Sequence, residues 1–324
     1  MPTCKLSIII VYYKTYELTM ECLRSVMSFM PSFVYEIILV DNWSSDEIGE
    51  KVSKDFPNVK FIETGKNCGF SKANNLGIVN SRGRYILLLN SDTKIIEPIF
   101  DQLIEYMDSH PEIGAIGPRH LDGNGKHQIS YGKFPNIHTE ILRKIMHYQI
   151  SLDDRNIREY LKEFCSKERK VDWLSGSCLL LRRDALKQTG LLDESLFMYF
   201  EDIDICKRIN DKGWQAHYFP SSTIVHYSGQ SVKENVLAGL VEYRHSQLYF
   251  SRKYYGIKGE ILIRIALFLK FGILGLFAFL EYSLRKIFKK NTQDLYIRML
   301  LSKKVLDMVF SANRRQLAES SLST

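Results

Sequence analysis

Four short, almost uninterrupted apolar runs near the start of the chain constrain its fold more than any other feature. Residues Leu6–Tyr12, 36–40, Val59–Glu63 and 85–89 are rich in Ile, Leu, Val and aromatic side chains. The stretches between them (16–30, 45–55 and 70–80) carry helical patterns. A strand buried on both faces shows no polar alternation, so such runs alternating with helices predict an α/β fold whose parallel sheet is covered on both sides. Ligands of such sheets sit beyond the carboxyl ends of the strands. The residues that fall there are Tyr12-Tyr13, Asp41-Asn42 and Asn90-Ser91-Asp92.

Downstream, Leu121-Asp122-Gly123-Asn124-Gly125 signals a hairpin turn. Segment 137–170 is charged and helical in pattern, a flap. Segment 171–182 reads as a strand, 199–212 as a helix ending at Gly213, and 214–219 with 223–227 as closing strands. A boundary near Tyr254-Tyr255-Gly256 then separates a domain of residues 1–256 from a tail of residues 257–324.

At 324 residues, 45% hydrophobic and 25% charged, the chain can bury a core without metal or disulfide staples, and disordered or fibrous classes are excluded. The six cysteines, Cys4, Cys22, Cys68, Cys165, Cys178 and Cys206, include no CxxC pair. Neither a metal cluster nor a disulfide framework is expected, which implies a reducing compartment, the cytoplasm. The apolar run 6–11 is too short for a signal peptide and reads as a first strand.

Charge is uneven. Residues 251–324 hold 14 Lys/Arg against 5 Asp/Glu, a net +9, which leaves the first 250 residues at −2 of the total +7. Residues 261–280 are long and apolar enough to span a bilayer as a helix of about 30 Å. Arg264 and Lys270 interrupt them, however, and a central Lys costs roughly 2.5–3.5 kcal/mol on insertion. Arg264, Lys270, Glu281 and Arg285 share an arc of about 120°, with Lys286, Lys289 and Lys290 extending the charge. The pattern favours a basic amphipathic helix lying on an anionic cytoplasmic leaflet. A helix pair packed on the domain, or on a second subunit in a homo-oligomer, is the alternative. Nucleic acid fits poorly, because the basic residues alternate with aliphatic runs and not with aromatic platforms.

Several residues carry chemistry. Asp92, after the run 85–89, is placed to hold a hard cation, Mg²⁺ or Mn²⁺, although Asn-Ser-Asp also suits a plain turn. Asp41 is either an acceptor for a base N–H or ribose hydroxyl, or a helix N-cap with Ser44 and Ser45. Asn67-Cys68-Gly69-Phe70 opens a helix whose N-terminus favours anions. Glu201, Asp202 and Asp204 share one helical turn. Asp204 is spaced for a surface ion pair with Arg208, while the aromatic run before Glu201 and Asp202 would raise a carboxylate's pKa and suit a general base. His226 is a metal or phosphate ligand, or a structural histidine.

The order of these motifs resembles an inverting family 2 glycosyltransferase with the GT-A fold, in the rhamnosyltransferase-like branch of bacterial surface polysaccharide synthesis. The resemblance runs over residues 5–256. It rests on Ile8-Ile9-Ile10-Val11-Tyr12-Tyr13, Val40-Asp41-Asn42, Asn67-Cys68-Gly69-Phe70 with Ala73-Asn74-Asn75, and Leu89-Asn90-Ser91-Asp92. Trp173-Leu174-Ser175-Gly176-Ser177, Gly190-Leu191-Leu192-Asp193-Glu194, Tyr199-Phe200-Glu201-Asp202-Ile203-Asp204 and His226-Tyr227-Ser228-Gly229 continue it, and the late stretch from Tyr243-Arg244 to Tyr254-Tyr255-Gly256 completes it.

The resemblance implies a Rossmann-like, mainly parallel sheet with a C-terminal helical tail. It implies a nucleotide-sugar site at Asp41 with Tyr12 or Tyr13, and with Asn67, Gly69, Asn74 and Asn90. It further implies a divalent cation on Asp92 with a second contact from His226, an acceptor pocket at Trp173, Ser175, Gly176 and Glu201, and Asp202 as the catalytic base. Asn90 stands where the family's founding pattern has Asp, leaving one carboxylate there. The expected activity is transfer of a sugar, rhamnose from dTDP-rhamnose, to a glycan or lipid-linked saccharide at the membrane surface. A UDP- or GDP-sugar donor is one rival reading, and a non-catalytic nucleotide-binding scaffold of an assembly complex is the other.

Overall fold

The computed structural model describes residues 4–44, 47–136, 163–229, 236–287 and 292–311, with positions 139, 145, 148, 159 and 160. Most of the expected flap 137–170, the helix start at residues 45 and 46, and Lys289 and Lys290 lie outside the described residues. Strands β1 (Leu6–Tyr12), β2 (Tyr35–Asp41), β3 (Val59–Glu63) and β4 (Tyr85–Asn90) are joined by helices α1 (Tyr16–Ser28), α2 (Ile48–Asp55) and α3 (Phe70–Val79). Then come β5 (Thr93–Ile95), α4 (Ile99–Ser109), β6 (Ile113–Leu121), β7 (His127–Gln128) and β8 (Tyr131–Gly132). After them follow β9 (Arg169–Val171), β10 (Trp173–Leu174), β11 (Cys178–Arg182), α5 (Arg183–Thr189), α6 (Glu201–Asp211) and β12 (Gln215–His226).

The main sheet runs β3-β2-β1-β4-β11-β6-β12-β5. β1 pairs in parallel with β2 and β4, β2 with β3, and β12 with β6, whereas β11 is antiparallel to both its neighbours. The fold is therefore the expected mixed, mainly parallel α/β sheet. Its strands read as unbroken apolar runs because both faces are covered. On β1, Leu6, Ile8, Ile10 and Tyr12 point into a core shared with α1, α2 and α4, and Ile9 and Val11 into one shared with α3, α5 and α6. Register brings the strand ends level, with Tyr12 opposite Asp41 and Val11 opposite Asn90.

The differences from expectation lie where local pattern is weak. The expected strand 171–182 is three short pieces, because Trp173 and Leu174 pair with Gly132 and Tyr131 in a separate ribbon. The expected strands 214–219 and 223–227 are one strand, β12, whose register shifts between Phe219 and Thr223 around Pro220. The hairpin at 121–125 is present, closed by Asp122 N–H donating to the Lys126 carbonyl at an antiparallel β6–β7 pair.

The chain forms two compact units. One holds residues 1–197 and 201–231, the other residues 198–200 and 232–324. In the second, α7 (Val236–Ile287) packs beside α8 (Gln293–Phe310), and Gly256, where the sequence boundary was expected, is a break inside α7 with φ 66°. Here Ser246 Oγ donates to the Met198 carbonyl at 2.8 Å, and the rings of Tyr243 and Phe250 lie 5.2 and 5.5 Å from that of Phe200. Tyr199 and Phe200 both hold the left-handed backbone, φ 68° each, at a cost of roughly 1–2 kcal/mol per residue. Among the described residues α7 is long and apolar enough, by length and composition, to cross a membrane.

Candidate active site

The rim begins at the carboxyl ends of β1 and β2. Tyr12 does not line it: its side chain is fully buried in the core, because an even position on β1 faces the α1 side of the sheet. Tyr13, the next residue, is half-buried. Asp41 is buried, and its Oδ1 accepts the Ser44 N–H at 3.0 Å while Ser44 Oγ accepts the Lys14 N–H at 3.0 Å. Asp41 is thus not an N-cap of α2, which starts seven residues later behind Glu47. Its carboxylate turns the loop and ties it to the loop after β1.

The next group of expected ligand contacts is largely occupied by the protein itself. Asn42 Nδ2 donates to Asn67 Oδ1 at 2.9 Å, and Asn67 Oδ1 also accepts the Gly69 N–H at 3.2 Å. Gly69 has φ 85°, and a Cβ there would stand 2.6 Å from the Phe197 carbonyl oxygen. Phe70 N–H donates to that same oxygen at 2.7 Å, so an amide at the α3 N-terminus is already taken. Asn74 is buried and turned back on its own helix, Nδ2 to the Phe70 carbonyl at 2.9 Å. Asn75 clasps Leu192 through both its amide atoms, at 2.9 and 3.0 Å. Asn67 Oδ1, the Gly69 N–H and Asn74 Nδ2 are thus engaged in building the loop and helix beside segment 192–197.

At the end of β4 the geometry is different. Asp92 Oδ1 lies 3.3 Å from His226 Nε2, and the pair is fixed by backbone pairing of Thr93 with His226 and by Tyr227 N–H donating to the Asp92 carbonyl at 2.9 Å. His226 Nδ1 is 3.2 Å from Gln128 Oε1, a neighbour that holds the ring with Nε2 toward Asp92. Two residues before Asp92, Asn90 Oδ1 is buried with no hydrogen-bond partner. No group of three or more His, Cys, Asp or Glu side chains among the described residues could hold a metal unaided. A carboxylate, an imidazole and an orphaned amide oxygen nevertheless fit a hard cation whose remaining positions are filled by phosphate oxygens and water.

Asp202 opens α6, where three acidic residues in the first turn complement the helix dipole. Its Oδ2 accepts the Gly176 N–H at 2.9 Å and its Oδ1 the Ile203 N–H at 2.8 Å, and the residue as a whole is half-buried. Burial of the carboxyl pushes its pKa above the usual carboxylate range, against the opposing pull of those N–H groups. Glu201 is buried, which removes it from any acceptor surface. The expected surface pair is not at the surface: Asp204 is fully buried, and Arg208 Nε meets it at 2.8 Å while its other nitrogens hold the Thr189, Gly190 and Leu191 carbonyls.

Gly176 sits between two serines with a buried support. Ser175 N–H donates to the Ser130 carbonyl at 2.7 Å, Ser175 and Ser177 hydroxyls are 2.9 Å apart, and Ser177 Oγ is 2.9 Å from His120 Nε2. His120 Nδ1 lies 3.1 Å from the Pro118 carbonyl, which can only accept, so Nδ1 carries the proton and Nε2 accepts from Ser177. Burial lowers the His120 pKa to about 3, and its ring stands 6.0 Å from that of His226. Nothing in the sequence around His120 marks it, because its partner lies 57 residues away. Trp173 is tied by Nε1 to the Lys133 carbonyl at 2.9 Å. The structure thus joins Asp202 to Gly176 and Asp92 to His226, and His120 stands between the two pairs.

The chain matches the profile of Glycosyl transferase family 2 over residues 7–190. It is 31% identical over 229 residues to N-acetylglucosaminyl-diphospho-decaprenol L-rhamnosyltransferase of Mycobacterium tuberculosis, covering 66% of this chain and 73% of that one. It is 26% identical over 253 residues to dTDP-rhamnosyl transferase RfbF of Shigella flexneri, covering 77% of each. Among solved structures, the mannosyltransferase PcManGT of Pyrobaculum calidifontis, in complex with GDP-Man and Mn²⁺, superposes with a TM-score of 0.52 at 14% identity, over all of this chain and 76% of that one.

Proposed function

Because this chain belongs to glycosyl transferase family 2, we propose that it moves rhamnose from dTDP-rhamnose, with inversion, onto a glycan or lipid-linked saccharide at a membrane surface. What most supports the reading is Asp202, a carboxylate fixed by two backbone N–H groups and with its pKa raised by burial. Burial gives such a carboxylate more proton affinity than an ordinary one, and the two backbone donors hold it in one orientation.

In this reading Asp202 takes the proton from an acceptor hydroxyl as that oxygen attacks the anomeric carbon. The bond to the donor diphosphate breaks on the opposite face, so the configuration inverts. Asp92 and His226, with the Asn90 amide oxygen, would hold Mg²⁺ or Mn²⁺ on the diphosphate. Such an ion supplies positive charge against the leaving group. His120, through Ser177, keeps the Ser175–Ser177 loop in place, and with it the Gly176 N–H that orients Asp202. The names of the two relatives support rhamnose, thymidine diphosphate and a polyprenol-linked acceptor as the substrates. The tail would keep the chain at the cytoplasmic face of the membrane.

A thermal-shift panel of dTDP, UDP, GDP and CDP, with and without Mn²⁺, tests this on wild type and Asp92→Ala. A metal-dependent rise with dTDP above the other three, lost in the variant, is the expected result. A rise with UDP or GDP instead would replace the donor, and no rise with any nucleotide would overturn the enzyme reading.

A further inference from the structure

The tail was expected to present its charges to a membrane, but α7 turns Arg264 and Arg285 toward α8, while Lys270, Glu281 and Lys286 remain exposed. Glu260 is buried and meets Arg264 at 3.0 and 3.1 Å, and Arg264 also donates to the Met308 and Val309 carbonyls at the end of α8. At the other end Arg285 bridges Glu281 and Asp294, at 2.5 and 3.3 Å. Between these two clasps Ile263, Leu267, Phe271 and Ala278 are buried, and Gly275 brings Ser302 so near that a Cβ would lie 3.1 Å from it.

What α7 leaves uncovered is apolar. Ile261, Ile265, Leu269, Ile273, Leu276 and Phe277 are each 49–65% exposed. With their neighbours Leu262 and Leu280 they fill an outward arc of about 160° over about 30 Å of helix, an arc without a charged residue between Lys258 and Lys286. Tyr254 and Tyr255 lie just before this stretch and Tyr282 just after it, where interfacial aromatic residues belong. On α8, Lys303, Lys304 and Asp307 fall on the side away from the buried line Leu295, Ser302 and Val309.

We propose that α7 is seated in one leaflet of a phospholipid bilayer, parallel to its plane, with the Ile261-to-Leu280 face among the acyl chains and α8 stacked above it toward water. The proposal deepens the membrane-surface reading and rests on it. Two observations favour lipid over a second copy of the chain and an in-plane helix over a crossing one. The face offers no polar atom to set a register with a protein partner, while bases and tyrosines bracket its length as they would at a lipid surface. A crossing helix would carry Lys303 and Lys304, next to the Gly275–Ser302 contact, to the middle of the hydrocarbon. In plane, both lysines stay in water.

The contact is therefore apolar and not electrostatic. The full chain is floated with neutral phosphatidylcholine vesicles, and with vesicles containing phosphatidylglycerol, at 0.1 and 1 M NaCl. Binding to both, changing less than about threefold with salt, is expected. Leu269→Asp with Phe277→Asp should lower it at least tenfold, and Lys303→Ala with Lys304→Ala should leave it within twofold, each variant keeping the wild-type melting temperature. Trp placed at position 262 or 269, which lie on the same side of the helix, should be quenched equally by lipids brominated at one acyl depth, whereas unequal quenching would mean a crossing helix. Binding only to anionic vesicles, abolished by 1 M salt, would overturn the apolar seat and leave the membrane-surface reading standing. No binding to either, with a dimer that the Asp substitutions dissociate, would overturn both in favour of a second copy.

Discussion

His226 Nε2 stands 3.3 Å from Asp92 Oδ1 although 134 residues separate them, because the antiparallel β5–β12 pair sets His226 opposite Thr93. Two groups that close can face one ligand together.

Removing either member should therefore weaken the same interaction. Asp92→Ala and His226→Ala should each reduce Mn²⁺-dependent dTDP affinity by roughly 10- to 100-fold and leave metal-free melting within about 2 °C of wild type. Titration calorimetry with and without Mn²⁺ measures this. Equal losses in the absence of metal would show that the pair holds the nucleotide or the fold directly.

Asp202→Asn should cut turnover by roughly 10²–10⁴-fold with donor affinity unchanged, the signature of a lost proton acceptor. Because burial raises its pKa, the wild-type acidic limb of kcat/KM should lie above the usual carboxylate range: below that limb the carboxyl is protonated and cannot accept. Near-normal turnover in the variant would remove Asp202 from the reaction.

His120 makes a statement about stability against pH. Its pKa is lowered by burial to about 3, whereas an unfolded imidazole titrates near 6.5. The unfolded chain thus binds more protons between these values, so the stability contributed by neutral His120 is whole above about pH 6.5 and drains away as pH falls toward 3. About 2 kcal/mol should be lost between pH 7.5 and pH 5 from this group. In His120→Gln that part of the pH slope should vanish, as urea melts at the two pH values would reveal; an unchanged slope would mean the ring is protonated in the native state.

Gly69 and Gly65 separate two costs of a side chain. Both have positive φ, 85° and 72°, but a Cβ at Gly69 meets the Phe197 backbone oxygen at 2.6 Å, while one at Gly65 has nothing within 4 Å. Gly65→Ala should cost only about 1–2 kcal/mol of backbone strain. Gly69→Ala should cost more than that and also disturb segment 192–197, which leads toward Asp202. Equal costs by denaturant melts would show that Phe197 yields freely.

Strand positions were legible because burial on both faces leaves a local trace: the expected β1 and β3 coincide with the observed ones, and β2 and β4 extend by a residue or two. Residues 93–120 gave no such trace, since β5 is three residues long and β6 contains glycine and proline. Polar rim residues were harder to assign. Asp41, Asn67 and Asp92 look alike as strand-end turn formers, yet Asp41 turns its own loop, Asn67 braces Asn42 and Gly69, and Asp92 meets a histidine from the far end of the sheet.

By itself the sequence determined the α/β class, the two-sided burial of the sheet, the rim formed by the strand ends and the apolar length of the tail, because each is written in the periodicity of neighbouring residues. Only the tertiary structure decided which rim groups are consumed in holding loops and which stay open, that His120 supports Ser177, and that Arg264 faces α8 instead of solvent. Those outcomes depend on hydrogen-bond partners tens of residues away, and a polar side chain carries no local mark of whether such a partner will reach it.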